Sequence, residues 1–396
     1  MKPNSRSSHR QAACRVLCAA ALAQVLGLPL AGTVHAVSEM ETMNAIVVEP
    51  ADSATLPQLV AKLAGERVVY VGETHTALAD HQVQLEVLRA MAAQPGELAV
   101  GVEWFQHPFQ PVLDDYLAGR IDEAEFLRRS EYYERWRFDY RLYRPIMQFA
   151  RDNGIPVLAL NAPRELTRAI SNVGIEGLDV EQRADLPDGY DFDDGAYAEK
   201  LRQVFLLHAG GSGDFQRFLE VQLTWDERMA QGAAEYLKGS PERRILVLAG
   251  RGHIAGRSGI PNRVTRRTGL HGATITTYDP SGSLFNEADY MVLTREQRLA
   301  PPGLMQVVLD ERDGGVFIGG FGEDSPAESA GAQKGDRIVA IDGTPIAHFT
   351  DVKVVLLDRR PGEEIALEVR RSGLFGGERE LTLRFPLGGG ARPGHP

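Results

Sequence analysis

The sequence is nearly free of cysteine. Only Cys14 and Cys18 occur in 396 residues, and both lie in the first 36. The remaining chain therefore has no disulfide, no cysteine metal site and no thiol nucleophile. Long apolar runs are also missing. Nothing after residue 36 approaches the ~20 apolar residues that a membrane-spanning helix needs. The commonest metalloprotease signature, His-Glu-x-x-His, is absent, as are a Gly-x-Ser-x-Gly elbow and a phosphate-binding Walker loop. Basic residues are in deficit, with a net charge of −11. That balance argues against nucleic acid as the main partner.

The two ends differ from the body. Residues 1–36 read as a signal peptide. Lys2, Arg6, Arg10 and Arg15 form a positive region without acids, followed by the apolar stretch from Val16 to Ala31. Val34-His35-Ala36 gives small residues at the −3 and −1 positions, so cleavage is expected after Ala36 and export to the periplasm follows. Both cysteines precede most of the apolar run, which argues against a lipid anchor. Residues 386–396 are rich in Gly and Pro, with Leu387 the sole apolar side chain beyond an alanine, and are expected to be disordered.

Between these ends, short apolar runs alternate with helical patterns. Val68-Val69-Tyr70-Val71 stops at Gly72-Glu73-Thr74-His75. Leu98-Ala99-Val100-Gly101-Val102 ends in Glu103-Trp104. Val157-Leu158-Ala159-Leu160 ends in Asn161, with Arg164 close behind. Ile245 to Gly250 ends in Arg251-Gly252-His253. Such runs read as buried parallel strands. Ligands of open α/β sheets bind outside the carboxyl ends of those strands. The expected fold is α/β: a central, mostly parallel sheet over residues 37–295 with helical insertions, followed by a small α+β domain. The first insertion, 109–153, is rich in aromatics; the second runs from about 197 to 238. A Pro-Pro-Gly segment at 301–303 marks the boundary.

Residues 299–385 resemble an HtrA-type PDZ domain. The resemblance rests on Gly315-Val316-Phe317-Ile318, Ser325-Pro326-Ala327…Ala330-Gly331, Gly335-Asp336-Arg337-Ile338 and Ile341-Asp342-Gly343. That family binds extended peptide C-termini by strand addition. It implies a carboxylate loop at Gly303, Leu304 and Met305, and apolar groove liners at Val352, Val355 and Leu356.

Glu73 and His75 are two apart and share a face of an extended segment. Asp80 is a candidate N-cap of the next helix, with His81 in its first turn. Carboxylate and imidazole suit zinc, iron or manganese as ligands, or serve as general acid and base. The metal-ligand candidates are Glu73, His75, His81, Glu103 and His253. Each singly reads as a capping or hydrogen-bonding residue; their recurrence at successive strand ends carries the functional reading.

The segments Gly72-Glu73-Thr74-His75, Gly101-Val102-Glu103-Trp104-Phe105, Asn161-Ala162-Pro163-Arg164, Gln222 through Ala230 and Gly250-Arg251-Gly252-His253 resemble the ChaN family of haem-binding uptake proteins, within a superfamily that includes Tiki, TraB and erythromycin esterase. The resemblance implies haem binding at a homodimer interface, linked to iron acquisition in bacterial envelopes. It places Glu73, His75, Glu103 and His253 in a shared superfamily site, which in the Tiki branch supports metal-dependent hydrolysis. In the ChaN branch, haem is held by tyrosine, an accepted ferric haem ligand. Tyr132, Tyr133, Tyr140 and Tyr143 in the aromatic insertion are the candidates. Asn161, Arg164, Gln222 and Asp226 are expected to support the strand-end residues.

Three functions remain open at this level. The first is a periplasmic haem- or iron-binding protein whose PDZ domain recruits an envelope partner's peptide. The second is a metal-dependent hydrolase using the strand-end catalytic set. The third is a PDZ scaffold without catalysis.

Overall fold

A computed structural model describes residues 54–209, 213–278, 288–373 and 377–389. The expected signal peptide lies outside these residues.

The first sheet has six parallel strands: β1 (Val68–Glu73), β2 (Glu97–Gln106), β3 (Val157–Asn161), β4 (Arg243–Gly250), β5 (Ala273–Thr277) and β6 (Tyr290–Val292). Their spatial order is β3-β2-β4-β1-β5-β6. β4 therefore inserts between β1 and β2, which are successive in the chain. Register places Glu73 opposite Gly250 and Val102 opposite Leu248. Glu73, Glu103 and Gly250 thus lie together at the carboxyl edge. This is where the topology of an α/β sheet collects ligand-binding residues.

β1, β4 and β5 and most of β2 and β3 are buried on both faces, which explains the unbroken apolar runs, whereas the edge strand β6 is half-buried. Val69, Val71, Leu246 and Leu248 face one core together with the helix α1 (Leu78–Ala92) and the aromatic insertion. Val68, Tyr70, Ile245 and Val247 face a second core. That second core is closed by Met229, Ala230 and Ala233 of a long helix, Phe215–Lys238. Within the insertion, a short helix α2 (Tyr132–Arg135) precedes α3 (Tyr140–Asp152). The long helix is designated α4.

Asp80 does not cap α1. The helix begins at Leu78 with Ala77 as N-cap. The Asp80 carboxylate instead accepts a hydrogen bond from the Thr74 backbone N–H at 2.8 Å, which closes the loop carrying His75.

The second sheet is antiparallel, in the order β13-β12-β10-β9-β8. It comprises β8 (Val307–Arg312), β9 (Gly315–Phe321), β10 (Arg337–Ile341), β12 (Glu364–Ser372) and β13 (Glu378–Pro386), with β11 (Thr344–Pro345) attached to β10. β8 is an edge strand. β7 (Gly303–Leu304) pairs with β14 (Gly388–Gly389). Strand pairing therefore reaches Gly389, into the stretch read as disordered; residues 390–396 lie outside those described.

The last helix, α5 (Phe349–Val355), serves two cores. Val352 and Leu356 pack into the second domain. Phe349, Val354 and Leu357 pack against the core of the first. Arg128 in the insertion bonds Asp351 at 2.7 Å, Arg144 bonds Asp358 at 2.6 Å, and the Thr350 hydroxyl donates to the Glu134 carboxylate.

Candidate metal centre and peptide groove

Glu73, His75 and Glu103 converge at the sheet edge. Each contributes one possible ligand atom, and the three atoms lie within 4.8 Å of one another. This is wider than the ~3.4 Å between ligands of a small tetrahedral ion, so a bound ion would draw them together.

The first Gly-x-x-His segment supplies two of the three. Glu73 is buried, and its Oε1 lies 2.6 Å from His75 Nδ1. A carboxylate on one ring nitrogen fixes the tautomer and leaves the other nitrogen for a ligand. Glu73 Oε2 makes no hydrogen bond and lies 4.0 Å from His81 Nε2. The His75 ring packs against Trp136 and Phe138, with centroids 4.8 and 4.7 Å away. Its side chain keeps 32% exposure, so the centre is reachable. Burial pushes the His75 pKa down, but the hydrogen bond and charge of Glu73, with Glu103 behind them, raise it overall.

The second such segment closes the other side. The Gly250 N–H donates to Glu103 Oε2 at 2.6 Å. A Cβ at Gly250 would meet His75 Nε2 and Glu103 Oε2, each at 3.4 Å. The nearest atom to that position is His75 Cε1, at 2.8 Å, so only glycine lets the imidazole and the carboxylate close over the end of β4. Gly72 has the reciprocal role: its Cβ would lie 3.2 Å from the Arg251 backbone.

His253 sits behind Glu103. Its Nε2 is 3.4 Å from Glu103 Oε1, and its Nδ1 is 2.6 Å from Asp226 Oδ1. The Tyr197 hydroxyl donates to Asp226 Oδ2 at 2.5 Å. Burial alone would push the Glu103 carboxyl up, yet His253, His75 and the Gly250 amide bring it down to about 2. Burial likewise works against a charged His253, but Asp226 and Glu103 raise its pKa well above the ordinary value. Both shifts favour the charged forms of the Glu103–His253 pair.

Asn161 joins from β3. Its amide donates to the Glu103 backbone oxygen at 2.9 Å and sets the end of β2. Asp226 also takes its expected supporting place. Arg164 and Gln222 do not; they line a neighbouring cleft of ≈ 610 Å³ with Trp225, whose ring lies 6.4 Å from that of His253. His81 is buried beside the centre, its ring nitrogens facing Gln84 Oε1 and the His75 carbonyl, so it supports the loop. Tyr197, Trp136 and Phe138 were not singled out as site residues; only the aromatic density of the insertion hinted at the last two. Glu227, next to Asp226, is fully buried and bonded by Arg266 and Arg267, which fastens α4 to the following helix Ile260–Thr268.

The profile of the family described as "Haem-binding uptake, Tiki superfamily, ChaN" matches residues 59–264, over half of the chain. The chain belongs to the ChaN family. A PDZ domain profile matches residues 317–371. A curated relative, Protein RETICULATA-RELATED 5, chloroplastic, of Arabidopsis thaliana, is 24% identical over 240 residues. The match covers 55% of this chain and 32% of that protein, about a third of the relative's length. The ChaN structure of Campylobacter jejuni, titled for cofacial heme binding, aligns with 17% identity and a TM-score of 0.47. That alignment covers 60% of this chain and 91% of the other. An HtrA-type protease, AlgW, with a decapeptide aligns at 22% identity and a TM-score of 0.21, covering 24% of this chain and 31% of that one.

The four tyrosines expected as haem ligands sit in the core of this ChaN domain. Tyr132, Tyr140 and Tyr143 are at most 1% exposed, and Tyr133 is 7% exposed. They stack on one another and on Phe105, Phe126 and Trp104 as core. Burial raises all four phenol pKa values, against the tyrosinate form. In this packing they do not fit a porphyrin iron.

The PDZ groove runs between β7–β8 and α5. It is lined by Gly303, Leu304 and Met305 on one side and by Val352 and Leu356 on the other. Val355 is not a liner. Residues 352 and 356 share a helix face, whereas Val355 lies off that face and, although it packs against the same core, does not line the cleft.

Proposed function

We propose that the ChaN domain binds a divalent transition-metal ion between Glu73, His75 and Glu103. The chain would act in metal or haem handling in the cell envelope. The PDZ groove would receive the C-terminal peptide of an envelope partner. The observation carrying the metal reading is the convergence of one ligand atom each from Glu73, His75 and Glu103 within 4.8 Å of one another. Two carboxylates and an imidazole suit iron, manganese or zinc. Such an ion would polarise a substrate oxygen and acidify bound water. The protein's own part would be to position these groups. Glu73 would orient His75, Asp226 would favour the charged form of His253, and His253 that of Glu103. Periplasmic placement is supported by the charge and hydropathy of residues 1–36 and is checked by cell fractionation.

The test is metal content by mass spectrometry after incubation with iron, manganese and zinc salts and gel filtration. Near-stoichiometric metal is expected in the wild type, with at least a tenfold loss in His75→Ala and Glu103→Gln. Unchanged metal in both variants would sink the reading.

A second reading, haem binding, is favoured by family membership. The cleft beside His253 has aromatic walls in Phe205, Phe218 and Trp225 and cations in Arg164 and Arg168. These suit a planar macrocycle with carboxylate arms. Haemin titration should give a saturable Soret shift that survives Tyr→Phe at all four tyrosines and weakens in Arg168→Glu. A spectrum lost in the tyrosine variant would restore the tyrosines as ligands.

A further inference from the structure

The PDZ groove is not walled by the PDZ domain alone. Tyr133, Arg137, Asp139 and Arg141 of the ChaN domain line the same cleft of ≈ 340 Å³ as Leu304, Val352 and Leu356. The arrangement is firmly held, because α5 packs on the ChaN core and is tied to the insertion by Arg128–Asp351 and Arg144–Asp358.

Arg137 is the informative residue. It is exposed, and it adopts φ 72 although it is not glycine. Side chains rarely accept that conformation. Its neighbours Trp136 and Phe138 explain how it is held, since both rings pack on His75. The same short loop therefore turns two aromatic residues toward the metal centre and Arg137 toward the groove. Its guanidinium makes a 3.4 Å hydrogen bond to the Glu134 carbonyl. Arg141, by contrast, is engaged with the Asp139 carboxylate through a 2.6 Å bond. Lys353 contributes a second cation from α5 and lies over the Phe349 ring. Among the described residues Arg137 pairs with no carboxylate, whereas the Asp139 carboxylate, which lines the same cleft, acts on Lys353.

The remaining walls fix the kind of partner. β8 is an edge strand with an open hydrogen-bonding side, which an extended segment completes. The buried Met305, Val352 and Leu356 offer an apolar pocket. We infer that the groove is a composite site, built by both domains, for an extended peptide with a free C-terminal carboxylate, an apolar last residue and an acidic residue upstream, the acid being read by Arg137 and Lys353. This rests on the reading of the PDZ groove as a peptide site.

The test is selection of a peptide library, displayed with free C-termini and randomised over its last six positions, on the full chain. Wild type should enrich an apolar last residue with Asp or Glu upstream. Arg137→Glu should keep the apolar preference and lose the acidic one, with at least tenfold weaker binding of the selected acidic peptides. Thermal melting of the variant checks its fold, and Arg137→Gly, which relieves the backbone, provides a second variant. If both variants select the same acidic peptides as wild type, the composite site falls while peptide binding stands. If wild type enriches nothing, or binds amidated peptides equally well, the peptide reading falls and the inference with it.

Discussion

A Cβ placed on Gly250 would lie 2.8 Å from Cε1 of His75, residues 175 positions apart that meet across neighbouring strands. Gly250→Ala must therefore displace the His75 ring or spread β1 from β4. Overpacking of this kind costs about 1–3 kcal/mol. The expected outcome is a melting temperature lower by a few degrees and metal retention reduced at least tenfold. Mass spectrometry and calorimetry on the same sample check it; full metal retention would mean that metal binding does not depend on the position of the His75 ring.

Asp226→Asn keeps the shape of the side chain and removes its charge. His253 then loses its closest anion, and the Tyr197 hydroxyl loses a charged acceptor. Breaking a buried charged pair from one side costs about 3–5 kcal/mol at full burial; with the amide still able to accept from Tyr197, about 2 kcal/mol is expected. NMR titration should show the His253 pKa lowered in the variant. A His253 titration unchanged from wild type would show that Asp226 does not hold it as a cation.

The domain contact at Asp351 is acid-sensitive. Burial pushes this carboxyl up, but the Arg128 guanidinium and the amides of His348 and Ala347 bring it below its ordinary value. A lowered folded pKa gives stability that is present above the unfolded value of about 4 and is lost as pH falls through the folded value. Asp351→Asn should lower stability by about 1 kcal/mol at pH 7, since Arg128 is 38% exposed and screened. The difference between wild type and variant should shrink progressively as pH falls below about 4. Denaturant melts at neutral pH and in acid check this, and a difference that persists undiminished in acid would contradict it.

Tyr132 is 1% exposed, and its hydroxyl makes no hydrogen bond. Removing an unsatisfied buried hydroxyl is close to neutral or stabilising. Tyr132→Phe should change stability by less than about 1 kcal/mol and leave any haemin spectrum unaltered. A loss of the spectrum would show that the insertion opens to admit haem.

The carboxyl-edge cluster was legible in the sequence because burial on both faces writes each strand as an apolar run with an abrupt polar stop. Glu73, His75, Glu103 and His253 were all found that way. Asp226 followed from its motif on α4. What the sequence did not carry was the order of strands, since nothing local states that β4 lies between β1 and β2. Arg164 and Gln222 were misplaced for that reason: they follow or face the same elements but open onto a different cleft. The tyrosines misled because aromatic density marks a core as readily as a cofactor pocket. The contribution of Arg137 to the PDZ groove was hidden because it depends on how two domains dock, which neither domain's own pattern records.

The insertion of β4 between β1 and β2 has a consequence for biogenesis. Glu73, His75 and Glu103 are translated early, but the amide that binds Glu103 and the imidazole that keeps it ionised belong to residues 250 and 253. A nascent chain that ends before β4 lacks both. An ion held as proposed would gain its full setting only once β4 has inserted between β1 and β2.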